Sequence, residues 1–429
     1  MSFTGYEEYK NSGFDWLGEI PNHWKTIPLW TYFRRVKRTG FIDEELLSVY
    51  RDYGVILKAS RDDNHNRASE DLEPYQLVNI GDLVINKMKA FQGSVAISDY
   101  RGIVSPAYFV FDGNHSSNPR FLHYLMRSNR YIFAYLSISK GIRPNQWDLE
   151  PQYHSRLPLV IPPAPEQKII ADFLDHETAK IDVLVTEQEK LIELLKEKRQ
   201  AVISNAVTKG LDPKVKMKHS GVEWLGEIPE NWDVRKASNF FTAKKGTQAS
   251  QLTKEYCSTI EGEYPVYSGQ TENNGVISEI DTYEFDSGEE GCLFATTVGA
   301  KAMTVSHIKG KFSLSQNCMI IISTQSNLSI RFYYYHLQAL FLFERALIPD
   351  HIQPSFRMED LYSYRIAVPP LNEQERIVEF LDTKSDNFSK LITEASNSID
   401  LLKERRSALI SAAVTGQIDV RNYQPKEVA

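Results

Sequence analysis

Hydrophobic positions along the chain fall into two kinds of pattern, and each kind occurs twice. After Pro165, Leu174, Ile181, Leu184, Leu191, Leu195 and Val202 recur at steps of three and four residues or their multiples, with polar Glu177, Gln188 and Lys198 interrupting the stripe. Leu381, Phe388, Leu391, Leu402 and Leu409 repeat the pattern near the C-terminus, with Ser398 and Arg405 in the gaps. A narrow apolar stripe at this period predicts a long amphipathic helix in each place. The other pattern is short and dense. Residues 82–85, 108–111, 292–295 and 319–322 are β-branched or aromatic runs bounded by Gly or polar residues, and they read as strands. Residues 120–125 and 331–337, with apolar positions three and four apart, read as helices between them.

The recurrence is literal as well as periodic. Residues 161–212 align with 368–419 at a constant offset of 207, without a gap, and 24 of the 52 positions are identical. Pro162/Pro369, Glu166/Glu373, Gln167/Gln374, Leu195/Leu402, Lys196/Lys403, Arg199/Arg406 and Thr208/Thr415 are among them. A second motif opens each half: Ser12-Gly13-Phe14-Asp15-Trp16-Leu17-Gly18-Glu19-Ile20-Pro21 with Trp24 returns as Ser220-Gly221-Val222-Glu223-Trp224-Leu225-Gly226-Glu227-Ile228-Pro229 with Trp232. The four tryptophans read as buried anchors that start a domain rather than as platforms for bases. A repeat of this regularity reports duplication of a whole structural unit. The expected organisation is a domain over 1–160, a helical spacer over 161–212, a second domain over 213–367 and a second spacer over 368–429.

The fold class that follows is mixed α/β (α+β) globular domains plus long helices, in two tandem halves related by a pseudo-two-fold axis. From Glu166 to Thr208 a continuous helix would run about 64 Å, and such a helix with one narrow stripe rarely stands alone in water. Packing the two copies together as an antiparallel coiled coil is the economical solution, and would place the globular domains at opposite ends.

Composition narrows the class. At 429 residues the chain is too long for one ordinary core. No apolar run is long enough to cross a bilayer, and the start lacks a signal pattern, so a cytoplasmic protein is expected. Cys257, Cys292 and Cys318 are far apart, which supports neither a disulfide framework nor a zinc ribbon. The net charge of −7 is spread evenly: residues 1–160 hold 19 Lys and Arg against 18 acids, and 213–367 hold 15 against 18. Contact with DNA would therefore need local basic loops or a partner's charge. The acidic stretch 279–290 shows no calcium-loop spacing and reads as a solvated loop.

Catalytic signatures are missing. No GxGxxG follows a strand, and Lys309-Gly310-Lys311-Phe312-Ser313 lacks the order of a phosphate-binding loop. Ile161-Pro162-Pro163-Ala164 superficially resembles the Pro-Pro loop of adenine methyltransferases, but has no polar side chain before the prolines to hold a target amine. Neither a metal site nor a catalytic residue is expected. Glu166-Gln167-Lys168 and Asp382-Thr383-Lys384 have the acid-x-lysine shape of nucleases, yet both lie in predicted helices.

The duplicated Pro-Pro-x-x-Glu-Gln stretch, the Leu-Leu-Lys-Glu-(Lys/Arg)-Arg core, the Ala-Val-Thr exit and the Trp-Leu-Gly-Glu-Ile-Pro opening together resemble the specificity subunit of type I restriction–modification systems. The resemblance covers the whole chain. It implies a non-catalytic reader of an asymmetric two-part DNA sequence, with each domain taking one half and the helices fixing the gap. It also implies, as partners, adenine-N6 methyltransferase (modification) subunits, two in number, and motor-nuclease restriction subunits. S-adenosylmethionine, ATP and magnesium would belong to those partners and not to this chain. Two alternatives remain at this point: a coiled-coil adaptor that never meets DNA, and a stand-alone methyltransferase or nuclease.

Candidate DNA contacts come from residue chemistry, since Lys and Arg suit phosphates and guanine while Asn and Gln suit adenine. In the first domain they are Lys87 and Lys89, after the 82–85 strand, with Arg143, Asn145 and Gln146 after Gly141. In the second they are Lys244, Lys245, Lys301, Gln316, Asn317 and Arg357.

Overall fold

The computed structural model describes residues 4–51, 53–61, 68–143, 146–270, 272–349 and 351–424. The chain divides into two compact units, Met1–Glu189 with Ser396–Ala429, and Lys190–Ala395. Each unit thus takes one globular domain together with part of both long helices.

The first unit contains β1 (Lys25–Pro28), β2 (Phe33–Val36), β3 (Leu83–Asn86), β4 (Val95–Ile97), β5 (Tyr108–Gly113), α1 (Pro119–Arg127), β6 (Ser139–Arg143), β7 (Gln146–Leu149), β8 (Pro158–Ile161) and most of α2 (Ala164–Lys209). Strands β2-β5-β3-β4 form an antiparallel sheet in that order. Leu83 and Ile85 enter one core and Val84 the other, as alternate strand residues must. Both faces are covered, which is why the run is continuously apolar instead of alternating. Strand β8 pairs with β1 and delivers the chain to Pro162.

The second unit repeats this plan with β9 (Asp233–Lys236), β10 (Phe241–Lys244), β11 (Cys292–Thr296), β12 (Val305–Ile308), β13 (Cys318–Ser323), α3 (Ile330–Ala346), β14 (Arg365–Val368) and residues 371–395 of α4 (Leu371–Val414). The sheet order β10-β13-β11-β12 matches the first unit strand for strand, and β14 pairs with β9 as β8 does with β1. Leu293, Ala295, Met319 and Ile321 face the main core, while Cys292, Phe294, Cys318 and Ile320 face a smaller one.

Both long helices begin just after the paired prolines. Pro163 O accepts from Glu166 N and Gln167 N at 2.9 and 3.0 Å, and Pro165 occupies the first turn, where a missing N–H costs nothing. In the first unit Ile170, Ala171 and Leu174 of α2 share a core with Ile410, Ala413 and Val414 of α4. In the second, Ile203, Ala206 and Val207 share one with Ile377 and Leu381. The start of each helix lies against the end of the other, so the pair is antiparallel.

Within the first unit the buried and half-buried seam of α2 is Leu174, Thr178, Ile181, Val185 and Gln188, met on α4 by Ile399, Leu402, Arg406, Leu409 and Ala413. In the second it is Ile192, Leu195, Arg199, Val202 and Ala206, met by Leu381, Ser385, Phe388, Ile392 and Ala395. These positions alternate steps of three and four throughout, the signature of a coiled-coil seam. Three expected seam positions are thereby corrected. Leu184, Leu191 and Leu391 are 45, 42 and 47% exposed. In each case the β-branched residue that follows, Val185, Ile192 or Ile392, takes the seam instead. One residue is a rotation of about 100° on a helix, so where two apolar residues are adjacent only the unbroken alternation decides between them.

Trp24 and Trp232 are fully buried, as expected of anchors, whereas Trp16 and Trp224 are only half-buried. Trp24 Nε1 donates to Glu166 Oε1 at 3.0 Å, Tyr6 Oη donates to the same oxygen at 2.5 Å, and His23 Nε2 lies 2.8 Å from Glu166 Oε2. Burial, with the Glu166 carboxylate beside it, holds the Tyr6 phenol well above its ordinary pKa. The C-terminal segment closes on the same place: Tyr9 Oη donates to Gly416 O at 2.9 Å and Asp419 N donates to Thr4 O at 2.8 Å. Gly416 has φ +74°, and a Cβ there would lie 2.3 Å from Pro21 Cδ, so only glycine fits.

Candidate nucleic-acid interface

In each sheet the loops with candidate contacts lie at one end, and at the other the chain leaves for the helix, α1 or α3, whose cap is held at the start of the long helix. Strand β5 runs from Tyr108 at the loop end to Gly113, and the chain then reaches Asn118, the cap of α1. Gln167 Oε1, at the start of α2, accepts from Asn118 N at 2.8 Å, and Gln167 Nε2 donates to Pro162 O at 2.8 Å. The second unit uses the same clamp: Gln374 Oε1 accepts from Ser329 N at 3.0 Å and Nε2 donates to Pro369 O at 2.8 Å.

At the loop end of the first sheet, the turn 87–89 after β3 is fastened to the hairpin β6–β7. Leu149 N donates to Lys87 O at 2.9 Å, Lys87 Nζ lies 3.6 Å from Asp148 Oδ2, and the Phe91 and Trp147 rings are 5.2 Å apart. Lys89 and Met88 are exposed beside them. The structure therefore brings Lys87 and Lys89 next to the hairpin that carries the other candidates. Arg143 ends β6 and Gln146 starts β7, and Asn145 lies outside the described residues.

The second sheet presents three loops at the corresponding end. Lys244 and Lys245 leave the end of β10, and Gln316 and Asn317 precede β13, with Asn317 at φ +62°. Lys301 lies between β11 and β12. Thr297 N donates to Asn317 O at 2.8 Å, Phe356 N to Thr297 O at 2.7 Å, and Gly299 N to Pro354 O at 3.2 Å. These bonds join the turn after β11 to the segment before Arg357, whose own N donates to Asp360 Oδ2 at 2.7 Å. Lys244, Lys245, Lys301, Gln316, Asn317 and Arg357 are all exposed. Met303, Glu344, Ile352, Gln353, Arg357 and Tyr364 are among the residues lining an open groove of about 340 Å³ there.

Sequence reasoning missed the fastening of these loops. Phe91 with Trp147, and Val298 bridged to Ser355, hold loops together across long stretches of chain, and no local pattern announces such a pairing. It also missed Arg120, Tyr124, Arg331 and Tyr335, which reach the long helices from α1 and α3. Their signal was available, because each pair recurs in both halves. Among the described residues no group of His, Cys, Asp and Glu is placed to hold a metal ion, and no helix is long and apolar enough to cross a membrane.

Residues 229–401 match the family model described as the type I restriction modification DNA specificity domain. The chain is similar to the putative type I restriction enzyme MjaX specificity subunit of Methanocaldococcus jannaschii, 24% identical over 82% of this chain and 81% of that one. It is also similar to the type I restriction enzyme StySPI specificity subunit of Salmonella potsdam, 21% identical over 94% of this chain and 90% of that one. A solved chain from a structural account of complex assembly and conformational transition of the type I R-M system superimposes with a TM-score of 0.69, covering 92% of this chain and 98% of its own. At 16% identity that likeness speaks for the fold.

Proposed function

Since the chain belongs to the family of type I restriction–modification DNA specificity subunits, we propose that it reads an asymmetric two-part DNA target, each globular domain taking one half. The observation that supports this most directly is a pair of sheets with identical strand order and different loops at the same end. A repeated frame with divergent loops is what reading two unrelated half-sites requires, because frame sets register while side chains at base edges set sequence. The paired helices fix the gap between half-sites, as dimer geometry does for ordinary repressors.

Lys87, Lys89, Lys244, Lys245, Lys301 and Arg357 position the duplex through phosphates, and Gln316 and Asn317 read base edges. Methyltransferase subunits dock on the helices and supply the adenine-N6 chemistry with S-adenosylmethionine, and restriction subunits bring ATP and magnesium. This chain itself recognises and does not catalyse. The chain's near-neutral charge fits an assembly in which partners add the phosphate-neutralising groups.

Mapping N6-methyladenine across a genome that expresses this chain with its methyltransferase tests the reading. One bipartite motif with a fixed gap is expected, lost on deletion of this chain. Methylation or cleavage by the purified single chain would overturn it.

A further inference from the structure

Each domain is attached to its long helix by the same polar latch. In the first unit Arg120 of α1 donates through Nη2 to Asp172 Oδ1 at 2.6 Å and through Nη1 to Asp175, and Tyr124 Oη donates to Asp175 Oδ1 at 2.8 Å. In the second unit Arg331 Nε of α3 donates to Asp382 Oδ1 at 2.9 Å, and Tyr335 Oη donates to the same oxygen at 2.6 Å. Arginine and tyrosine are one helical turn apart in both, so they lie on one face and converge on one carboxylate.

Sequence spacing makes this more than a coincidence of surface charges. Asp175 and Asp382 stand at matching positions of the duplicated helices, 207 residues apart, whereas Arg120 and Arg331, like Tyr124 and Tyr335, are 211 apart. The domains have changed length between the copies and kept the latch. The ion pairs themselves add little stability that would account for that. The Arg331 and Asp382 side chains are 38 and 41% exposed, those of Arg120 and Asp175 46 and 39%, and exposed ion pairs contribute little to folding.

The latch does fix orientation. The glutamine clamp holds the capped end of α1 and α3 against the start of the long helix, and the Arg–Tyr–Asp cluster holds the same helix one to two turns further on. Two attachment points on one helix remove its freedom to swivel about either. Helix α1 packs on β4, and α3 on β12 and β11, so the sheet that carries the loops turns with its helix.

We propose that Arg120 and Tyr124 with Asp175, and Arg331 and Tyr335 with Asp382, are positioning residues that hold each recognition sheet at a set angle on its long helix, and so determine how strictly the gap between half-sites is enforced. This rests on the reading of the chain as a bipartite DNA reader. A sheet free to swivel still meets its own half-site, but now reaches it at neighbouring gap lengths.

The test uses the full chain assembled with its methyltransferase subunits, and duplexes whose half-sites are separated by the native gap or by one base pair more or less. The readout is the ratio of methyl-transfer rates on native and altered gaps. Asp382→Ala and Asp175→Ala are expected to lower that ratio by about tenfold or more, about 1.4 kcal/mol of discrimination, with half-site sequences unchanged. Arg331→Lys, which keeps a cation against Asp382, retains a ratio near that of the unaltered chain. Should Asp382→Ala fail to fold, Arg331→Met reads the same quantity at a half-buried position, with the aliphatic stem kept. A ratio unchanged in folded variants overturns the proposal and leaves the latch a structural contact. If the unaltered assembly methylates no bipartite duplex, the reading of the chain as a DNA reader fails instead.

Discussion

Arg406 of α4 donates through Nε to Asp182 Oδ1 of α2 at 2.9 Å, in the seam of the first unit. The repeat places Arg199 where Arg406 stands and Ser389 where Asp182 stands, and Arg199 forms no ion pair among the described residues. The two ends of the helix pair are thus built alike and charged differently. Asp182→Asn is expected to lower stability by about 0.5–1 kcal/mol, since Asp182 is more than half exposed. Ser389→Asp should raise it by a similar or smaller amount by completing the symmetry. Chemical denaturation of the two variants checks both signs.

Glu166 and Glu373 occupy matching positions with unequal surroundings. Glu166 is buried and receives Tyr6, Trp24 and His23. Glu373 receives Asn231 Nδ2 at 3.3 Å, and Trp232 Nε1 beside it is buried without a partner among the described residues. Removing Glu166 strands several donors, so Glu166→Ala should cost about 3 kcal/mol, against about 1 for Glu373→Ala. Equal losses in denaturant titrations would contradict this account of the two boxes.

His154 sets an acid limit. Its ring is fully buried between Phe111 and Tyr135, with neither nitrogen hydrogen-bonded among the described residues, and burial depresses its pKa to about 3. Because the folded value lies below the ordinary 6.5, the unfolded chain binds the proton first as pH falls. Stability is therefore fully present above about pH 6.5 and is lost toward pH 3, by as much as about 1.4 kcal/mol per unit from this group. His154→Phe should match the unaltered chain near pH 7 and show a shallower loss between pH 6 and 4, read from thermal midpoints.

The loop residues divide by chemistry. Lys89→Ala and Lys301→Ala should weaken binding of the assembled complex to all duplexes alike and reduce the salt slope by about 0.9 each, as for one lost phosphate contact. Gln316→Ala should instead relax preference at one base pair of one half-site. Affinities measured over a salt series on matched and single-substituted duplexes separate the two.

Much of the framework was legible because duplication wrote it twice. The helix starts at the paired prolines, the buried tryptophans and the strands around residues 83–85, 109–111, 293–295 and 319–321 all follow from local period or repeat identity. The seam phase did not, because Leu184, Leu191 and Leu391 each precede a β-branched residue and a local period accepts either. Loop fastening such as Thr297 to Asn317 and Phe356 joins residues far apart in the chain, and only the folded sheet brings them to one end. The arginine–aspartate latches lay between: each residue is unremarkable alone, and only comparison of the two copies marks them.

The central claim, two independent readers on one frame, is tested most directly by exchanging residues 1–160 for those of a related chain and mapping the methylated motif. One half of the bipartite target should change while the other half and the gap stay fixed. A motif in which both halves change together would contradict the account.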